Sequence, residues 1–231
     1  MRGLLSPGHE RAGDTAIRRL EPRLELIRTW CQPFGAIADI GAHEGLLARW
    51  LAHDGHVVWA TELTSGGFRE LCRGVAGSSV VVRQGNGLLP ILKVPVDVVI
   101  LAGLGGQTIR RILRRRGDMM SQPLYIVQPI PDALTFHQVV AAEGWTVVRA
   151  DIAQYRGRYY PTWMLTMSGP PHNLEVEEAF IPREFCQAAG YAGWLERERD
   201  RRRLTLRYHQ TERLIQELGL LEQELARIKG G

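Results

Sequence analysis

Lysine is nearly absent from this chain. Lys93 and Lys229 are the only two among 231 residues, so almost all of the 29 basic residues are arginine. Arginine grips phosphate through two parallel hydrogen bonds and stacks on bases, so the bias suits nucleic acid. A GC-rich gene produces the same bias, and composition alone leaves both readings open. Cysteine is also scarce. Cys31, Cys72 and Cys186 are odd in number, scattered and free of any Cys-x-x-Cys pair, which excludes a disulfide framework and a cysteine-based structural zinc site. No metal is expected. Long apolar runs are missing too: none reaches the roughly 20 residues of a membrane span. The first seven residues lack the apolar core of a signal peptide. A cytoplasmic protein with no membrane partner is the expectation. A hydrophobic content of 45% is enough for a real core, with a net charge of +4 and a pI near 9.2.

Against these absences stands Ile37-Ala-Asp-Ile-Gly-Ala-His-Glu-Gly45, followed by Glu62 at the end of a second apolar run. It reads as a strand, a tight glycine turn and a helix start, with a carboxylate placed to accept from the two hydroxyls of a ribose. Only Gly41 and Gly45 stand in the turn, so the spacing is not the Gly-x-Gly-x-x-Gly of dinucleotide folds. Asp-x-Gly-x-x-x-Gly looks like the S-adenosylmethionine loop of class I methyltransferases, whose cofactor has no pyrophosphate to approach closely. Asp39 ends the first strand, where its carboxylate either faces the cofactor's amino group or caps the turn.

Strand-like runs fall at 36–40, 56–61, 79–83, 96–101, 124–128, 145–151 and 159–167, with helix-like segments at 44–53, 67–75, 107–116 and 131–143. An earlier helical pattern spans 16–30, with Pro22 breaking or kinking it. The alternation predicts an α/β, doubly wound, mostly parallel sheet of seven strands. The last two strands are too close for a crossover helix and should pair as an antiparallel edge hairpin. Residues 1–15 are expected to be flexible and 16–168 to form the catalytic domain. After a Ser-Gly-Pro-Pro break at 168–171 comes a helical domain at 172–229. There Leu214, Leu218, Leu221, Leu225 and Ile228 step like a coiled-coil seam, while Gly190, Gly193 and Gly219 are candidate interruptions. A helical hairpin is expected, either docked or projecting, in a monomer or a weak homodimer formed through those helices.

Further candidates stand where the remaining strands end. Asn86, between Gly85 and Gly87, can accept from an adenine amino group, or simply form an Asn-Gly turn. Ala102-Gly-Leu-Gly-Gly106 places Gly103 where a methyl acceptor would enter, and glycines there let the backbone approach a flat base. Gln128, before Pro129, can read a base edge or cap a neighbouring turn. Two arginine clusters, Arg110, Arg111, Arg114 and Arg115 in one helix and Arg201, Arg202, Arg203 and Arg207 in the tail, are candidate phosphate contacts, with Tyr155, Tyr159 and Tyr160 as a possible stacking rim. A solvated helix face is the competing reading of each cluster.

In this order the motifs resemble the bacterial tRNA (adenine-22-N1)-methyltransferase family. The carrying residues are Ala38-Asp-Ile-Gly41, Glu62-Leu63, Gly85-Asn-Gly-Leu88, Ala102-Gly-Leu-Gly-Gly106, Val127-Gln-Pro129 and Gly157-Arg-Tyr-Tyr160. The resemblance covers roughly residues 20–167, and the tail matches the family's coiled coil in kind. It implies a Rossmann-like methyltransferase sheet, S-adenosyl-L-methionine as cofactor and tRNA as partner. It also implies cofactor contacts at Asp39, Gly41, Ala42, Gly45, Glu62, Leu63, Asn86, Gly87, Ala102 and Gly103. The chain departs from the family at Ala42-His43-Glu44 (Ser-Asp-His there), Asn86 (Asp), Leu104 (Met), Ile130 (Asn) and Pro161 (an acidic residue). The implied chemistry is in-line attack of adenine N1 on the methyl group. His43 or Glu44 would take the proton leaving the cationic product, Gly103 and Gln128 would stand beside the base, and Tyr159 or Tyr160 would stack on it. Removing residues 171–231 is then expected to weaken tRNA binding more than cofactor binding. The rival readings are a small-molecule or protein methyltransferase, and an inactive relative that still binds cofactor and RNA.

Overall fold

The structure, a computed structural model, describes residues 17–131, 133–167, 177 and 180–230. Residues 1–15, expected to be flexible, and the 168–171 break lie outside the described residues. The elements are α1 (Pro22–Cys31), β1 (Ala36–Ile40), α2 (Leu46–His53), β2 (Val57–Glu62), α3 (Ser65–Gly74), β3 (Val81–Gln84), β4 (Val98–Ala102), α4 (Gly106–Leu113), β5 (Leu124–Gln128), α5 (Ala133–Ala142), β6 (Trp145–Tyr155), β7 (Arg158–Met167), α6 (Tyr191–Leu206) and α7 (Glu212–Gly230). The strands form one sheet in the order β3-β2-β1-β4-β5-β7-β6. All pairings are parallel except β5 with β7 and β6 with β7, so the expected antiparallel edge hairpin is present.

Period-two alternation sends neighbouring side chains to opposite faces of the sheet. Ile37, Val98, Ile100 and Ile126 pack on the face carrying α1, α2 and α3. Ala38, Val99, Leu101, Tyr125 and Val127 pack on the face carrying α4 and α5. Phe180, Phe185, Trp194, Leu195, Leu221 and Leu225 join that second core, so the tail docks on the sheet rather than projecting from it. Trp163 of β7 is fully buried at the joint, its ring centroid 4.8 Å from that of Phe185.

Two expectations change. The first helix starts at Pro22 instead of being broken there, because the fixed φ and missing N–H of proline suit the first helical position. Gly193 and Gly219 lie inside α6 and α7 without interrupting them. The antiparallel α6–α7 hairpin is held by Arg202–Glu217, Arg203–Glu222 and Lys229–Glu196 pairs. The leucine seam faces its own chain, with Leu221 and Leu225 buried. One further device matters for the site. Arg28 clamps Asp54 through two hydrogen bonds of 2.6 and 2.7 Å, fixing α1 against the end of α2. The start of α1 thereby becomes a wall of the cleft described next.

Candidate cofactor cleft and active site

Parallel strands leave their carboxyl ends along one rim, and register decides which residues meet there. Ile40 pairs with Thr61 and Ala102 with Gln128, so the ends of β1, β2, β4 and β5 stand level. Above them opens a cleft of about 890 Å³. It is lined by Asp39, Gly41, Ala42, His43, Glu44, Glu62, Leu63, Asn86, Gly87, Ala102 and Gly103, all expected from the sequence.

The β1–α2 turn bends by three successive left-handed positions: Gly41 (φ 73°), His43 (φ 53°) and Gly45 (φ 71°). Histidine tolerates that region better than bulkier residues do, which lets it stand where a short polar residue is usual. A Cβ on Gly41 would come within 3.2 Å of Leu104, so the first turn and the β4 loop touch. Gly45 departs from the expectation. It is buried, does not line the cleft and lies against α3, where a Cβ would meet Val75 at 2.3 Å. It serves the close packing of the turn on α3.

Glu62 ends β2 and accepts from the backbone N–H of His43 (2.7 Å) and of Leu63 (3.2 Å). The turn is thereby tied to the acid, which keeps lone pairs toward the cleft. Leu63 is 58% exposed beside it and offers an apolar platform. Asp39 is buried, and no side-chain hydrogen bond or ion pair is formed by its carboxylate among the described residues. Burial, reinforced by the charge on Glu62, pushes its carboxyl up to about 7. Thr61 adds a buried hydroxyl with no hydrogen-bond partner among the described residues, on the lining of the same cleft. An orphaned hydroxyl and an unpaired buried carboxylate are what a ligand carrying hydroxyls and a positive charge would satisfy. Asn86 is exposed on the lining, and its side-chain amide has no partner among the described residues.

Gln128 departs from the base-reading expectation. It is fully buried, its amide nitrogen donating to Thr162 Oγ1 (2.8 Å) and Arg23 O (3.4 Å), while its oxygen accepts from the Arg23 guanidinium (3.3 Å). Gln128 therefore positions Arg23, which also pairs with Glu21 at 2.8 Å and lines the cleft near Gly103. Tyr160 does not line the cleft, and the Arg23 guanidinium lies 5.6 Å from its ring centroid. The hairpin tyrosine that lines it is Tyr155. His43 and Glu44 are exposed on the lining, with Glu44 3.2 Å from Arg18. The sequence reading missed Arg18, Arg19, Glu21, Arg23 and Arg156 as lining residues. Their membership depends on how α1 and the β6–β7 turn fold over the rim, which no local motif signals.

The arginine clusters change as well. Arg202 is buried, paired with Glu198 (2.7 Å) and Glu217 (3.0 Å), and so is not presented to a ligand. Arg201 pairs with Glu198 and Arg203 with Glu222, while Arg110 and Arg114 share Glu143. Arg111, Arg115 and Arg207 are exposed but do not line the cleft. Among the described residues, no His, Cys, Asp or Glu group is placed to hold a metal ion, and no helix is long and apolar enough to cross a membrane.

A sheet of this order, with a glycine turn after β1 and an acid closing β2, defines a Rossmann-like methyltransferase fold. Residues 20–162 match the family model described as a methyltransferase domain, and the chain belongs to that family. It is similar to the curated tRNA (adenine(22)-N(1))-methyltransferase of Bacillus subtilis (strain 168), 28% identical over 149 residues, or 62% of this chain. The match spans 63% of that relative's length. Among solved structures it resembles the B. subtilis M1A22 tRNA methyltransferase TrmK, at 22% identity and TM-score 0.73 over 92% of this chain and 98% of that one. It also resembles M. capricolum TrmK in complex with S-adenosyl-homocysteine, at 18% identity and TM-score 0.74 over 90% of this chain and 99% of that one. At these identities the structures establish the fold.

Proposed function

We propose that the protein transfers a methyl group from S-adenosyl-L-methionine to tRNA, at N1 of an adenine of the position-22 type. The observation that carries the reading is the convergence of Glu62, the orphaned Thr61 hydroxyl and the unpaired Asp39 carboxylate on one cleft beside the Gly103 loop. The substrate class rests on the tRNA (adenine(22)-N(1))-methyltransferase of B. subtilis, a relative that the chain matches over 149 residues. A monomer is the assembly proposed, since Leu221 and Leu225 of the leucine seam are buried within their own chain. The cytoplasm, where tRNA is processed, is the proposed location.

When bound, the cofactor supplies an electrophilic methyl group on a sulfonium centre. Glu62 accepts from the ribose hydroxyls, and Leu63 and Asn86 hold the adenine of the cofactor. Asp39 faces the ammonium end. Gly103, without a side chain, leaves room for the flat acceptor base, and Arg23, held by Gln128, closes that side. Adenine N1 carries a free lone pair, so positioning rather than a strong base supplies most of the acceleration. The proton leaving the product passes to His43 or Glu44 on the lining. The test is methylation of tRNA transcripts, with adenine 22 present or replaced by guanine. Transfer lost with that adenine supports the reading. Equal transfer to both transcripts contradicts the site, and transfer only to small molecules or proteins contradicts the substrate class. Binding of cofactor and tRNA without transfer points to an inactive relative. Full turnover after both His43→Ala and Glu44→Gln contradicts their role as proton acceptors.

A further inference from the structure

Arginines that hold no carboxylate stand at the mouth of the cleft, whereas five of the eight in the two clusters that the sequence displays are paired. The turn joining β6 to β7 carries Arg156 and Arg158, both exposed, and Arg156 lines the cleft together with Tyr155. Arg156 takes a left-handed conformation (φ 46°) followed by Gly157 (φ 68°), which folds the turn back on itself. Helix α6 brings Arg197 to the same place. A Cβ on Gly157 would lie 3.7 Å from the Arg197 guanidinium, whose carbon sits 5.8 Å from the Tyr159 ring centroid. Arg19 is also exposed on the lining. None of these four forms an ion pair with a carboxylate among the described residues. The more conspicuous arginines at 110, 114, 201, 202 and 203 all do.

This contrast decides where polyanion binding is favoured. An arginine already paired must give up its carboxylate before it can neutralise a phosphate, whereas an unpaired one releases only counterions and water. Planar guanidiniums beside tyrosine rings also match an unstacked strand, offering phosphate contacts and aromatic faces together. The fold supplies the positions. Gly190 and Gly193 let α6 approach the hairpin so closely that a Cβ on Gly193 would fall 2.2 Å from the Tyr159 hydroxyl.

We propose that the β6–β7 turn and α6 form the RNA grip, in which Arg156, Arg158 and Arg197 hold the backbone phosphates next to the nucleotide entering the cleft, with Arg19 on the same lining as a further contact. The proposal rests on the tRNA reading above. It gives the docked tail a function: delivering Arg197 to the active-site rim.

The test compares three full-length proteins, the unaltered chain, Arg156→Ala/Arg158→Ala/Arg197→Ala, and Arg111→Ala/Arg115→Ala. Affinity for unmodified tRNA is read across a salt series, and affinity for S-adenosyl-homocysteine by calorimetry. The triple variant is expected to lose at least tenfold in tRNA affinity. Its log–log salt dependence should become shallower by about 0.7 for each phosphate contact removed. Melting temperature should stay unchanged and cofactor-product affinity should fall far less than tRNA affinity, which separates lost grip from lost fold. Should the α4 variant lose more than the triple variant, or the triple variant keep its affinity and slope, the grip lies elsewhere and the inference falls while the tRNA reading stands. Failure of the unaltered chain to bind tRNA at low salt overturns both.

Discussion

Asp39 and Glu62 stand at the carboxyl ends of adjacent parallel strands, and burial together with the Glu62 charge holds the Asp39 carboxyl up to about 7. The folded chain thus binds the Asp39 proton more tightly than the unfolded chain does, whose aspartates titrate near 3.9. With a raised carboxyl pKa, stability is lost as pH climbs from about 4 to about 7, because ionisation costs more in the fold. Asp39→Asn removes that penalty. It is expected to raise the melting temperature of the ligand-free protein at about pH 8, with little gain at about pH 5. A cationic ligand reverses the preference. Affinity for S-adenosyl-homocysteine should rise through about pH 7 in the unaltered protein and stay flat in Asp39→Asn; a flat profile in both would remove Asp39 from the ammonium site. At this scale the sequence was legible wherever one residue ends one strand. Asp39, Glu62 and Gly103 stand where spacing puts them. Gln128 is buried against Arg23 and Thr162, and Gly45 is packed against α3; the neighbour each one touches follows from packing that spacing does not encode.

The helices and strands of the sheet were readable because apolar alternation and turn glycines agree there. The start of α1 was misplaced because proline carries the same letter whether it begins a helix or breaks one. Glycines inside α6 and α7 divide in a way only neighbours reveal. A Cβ on Gly219 would meet nothing within 4 Å, whereas one on Gly193 would collide with Tyr159. Gly219→Ala should therefore stabilise the protein by about 0.5–1 kcal/mol, the usual cost of glycine in a helix. Gly193→Ala should destabilise it by about 1–3 kcal/mol as α6 is pushed from the hairpin. Chemical denaturation measures both. Equal effects of the two substitutions would contradict the close approach of α6 to β7.

At the scale of the molecule, tail and sheet share one core. Trp163 donates to Glu184 at 2.7 Å, and His137 lies 3.1 Å from the same carboxylate oxygen. Burial alone would raise the Glu184 pKa, but the hydrogen bonds from His137 and Trp163 outweigh it and hold the carboxyl below its ordinary value. A depressed carboxyl pKa contributes stability that is present above the unfolded value and lost as pH falls through the folded one. Acidification below about pH 4 should therefore loosen the tail, seen as a change in Trp163 fluorescence that Glu184→Gln abolishes. Deleting residues 171–231 would expose Trp163 and its neighbours, so it would damage the fold and cofactor binding together, not RNA binding selectively. Heptad spacing could announce the tail helices, but not that their leucines cover the sheet's own side chains. The most direct test of the account is methyl transfer from labelled S-adenosyl-L-methionine to unmodified bulk tRNA, followed by digestion to nucleosides. The account predicts label in N1-methyladenosine; no label in any nucleoside, from a protein that binds both cofactor and tRNA, would contradict it.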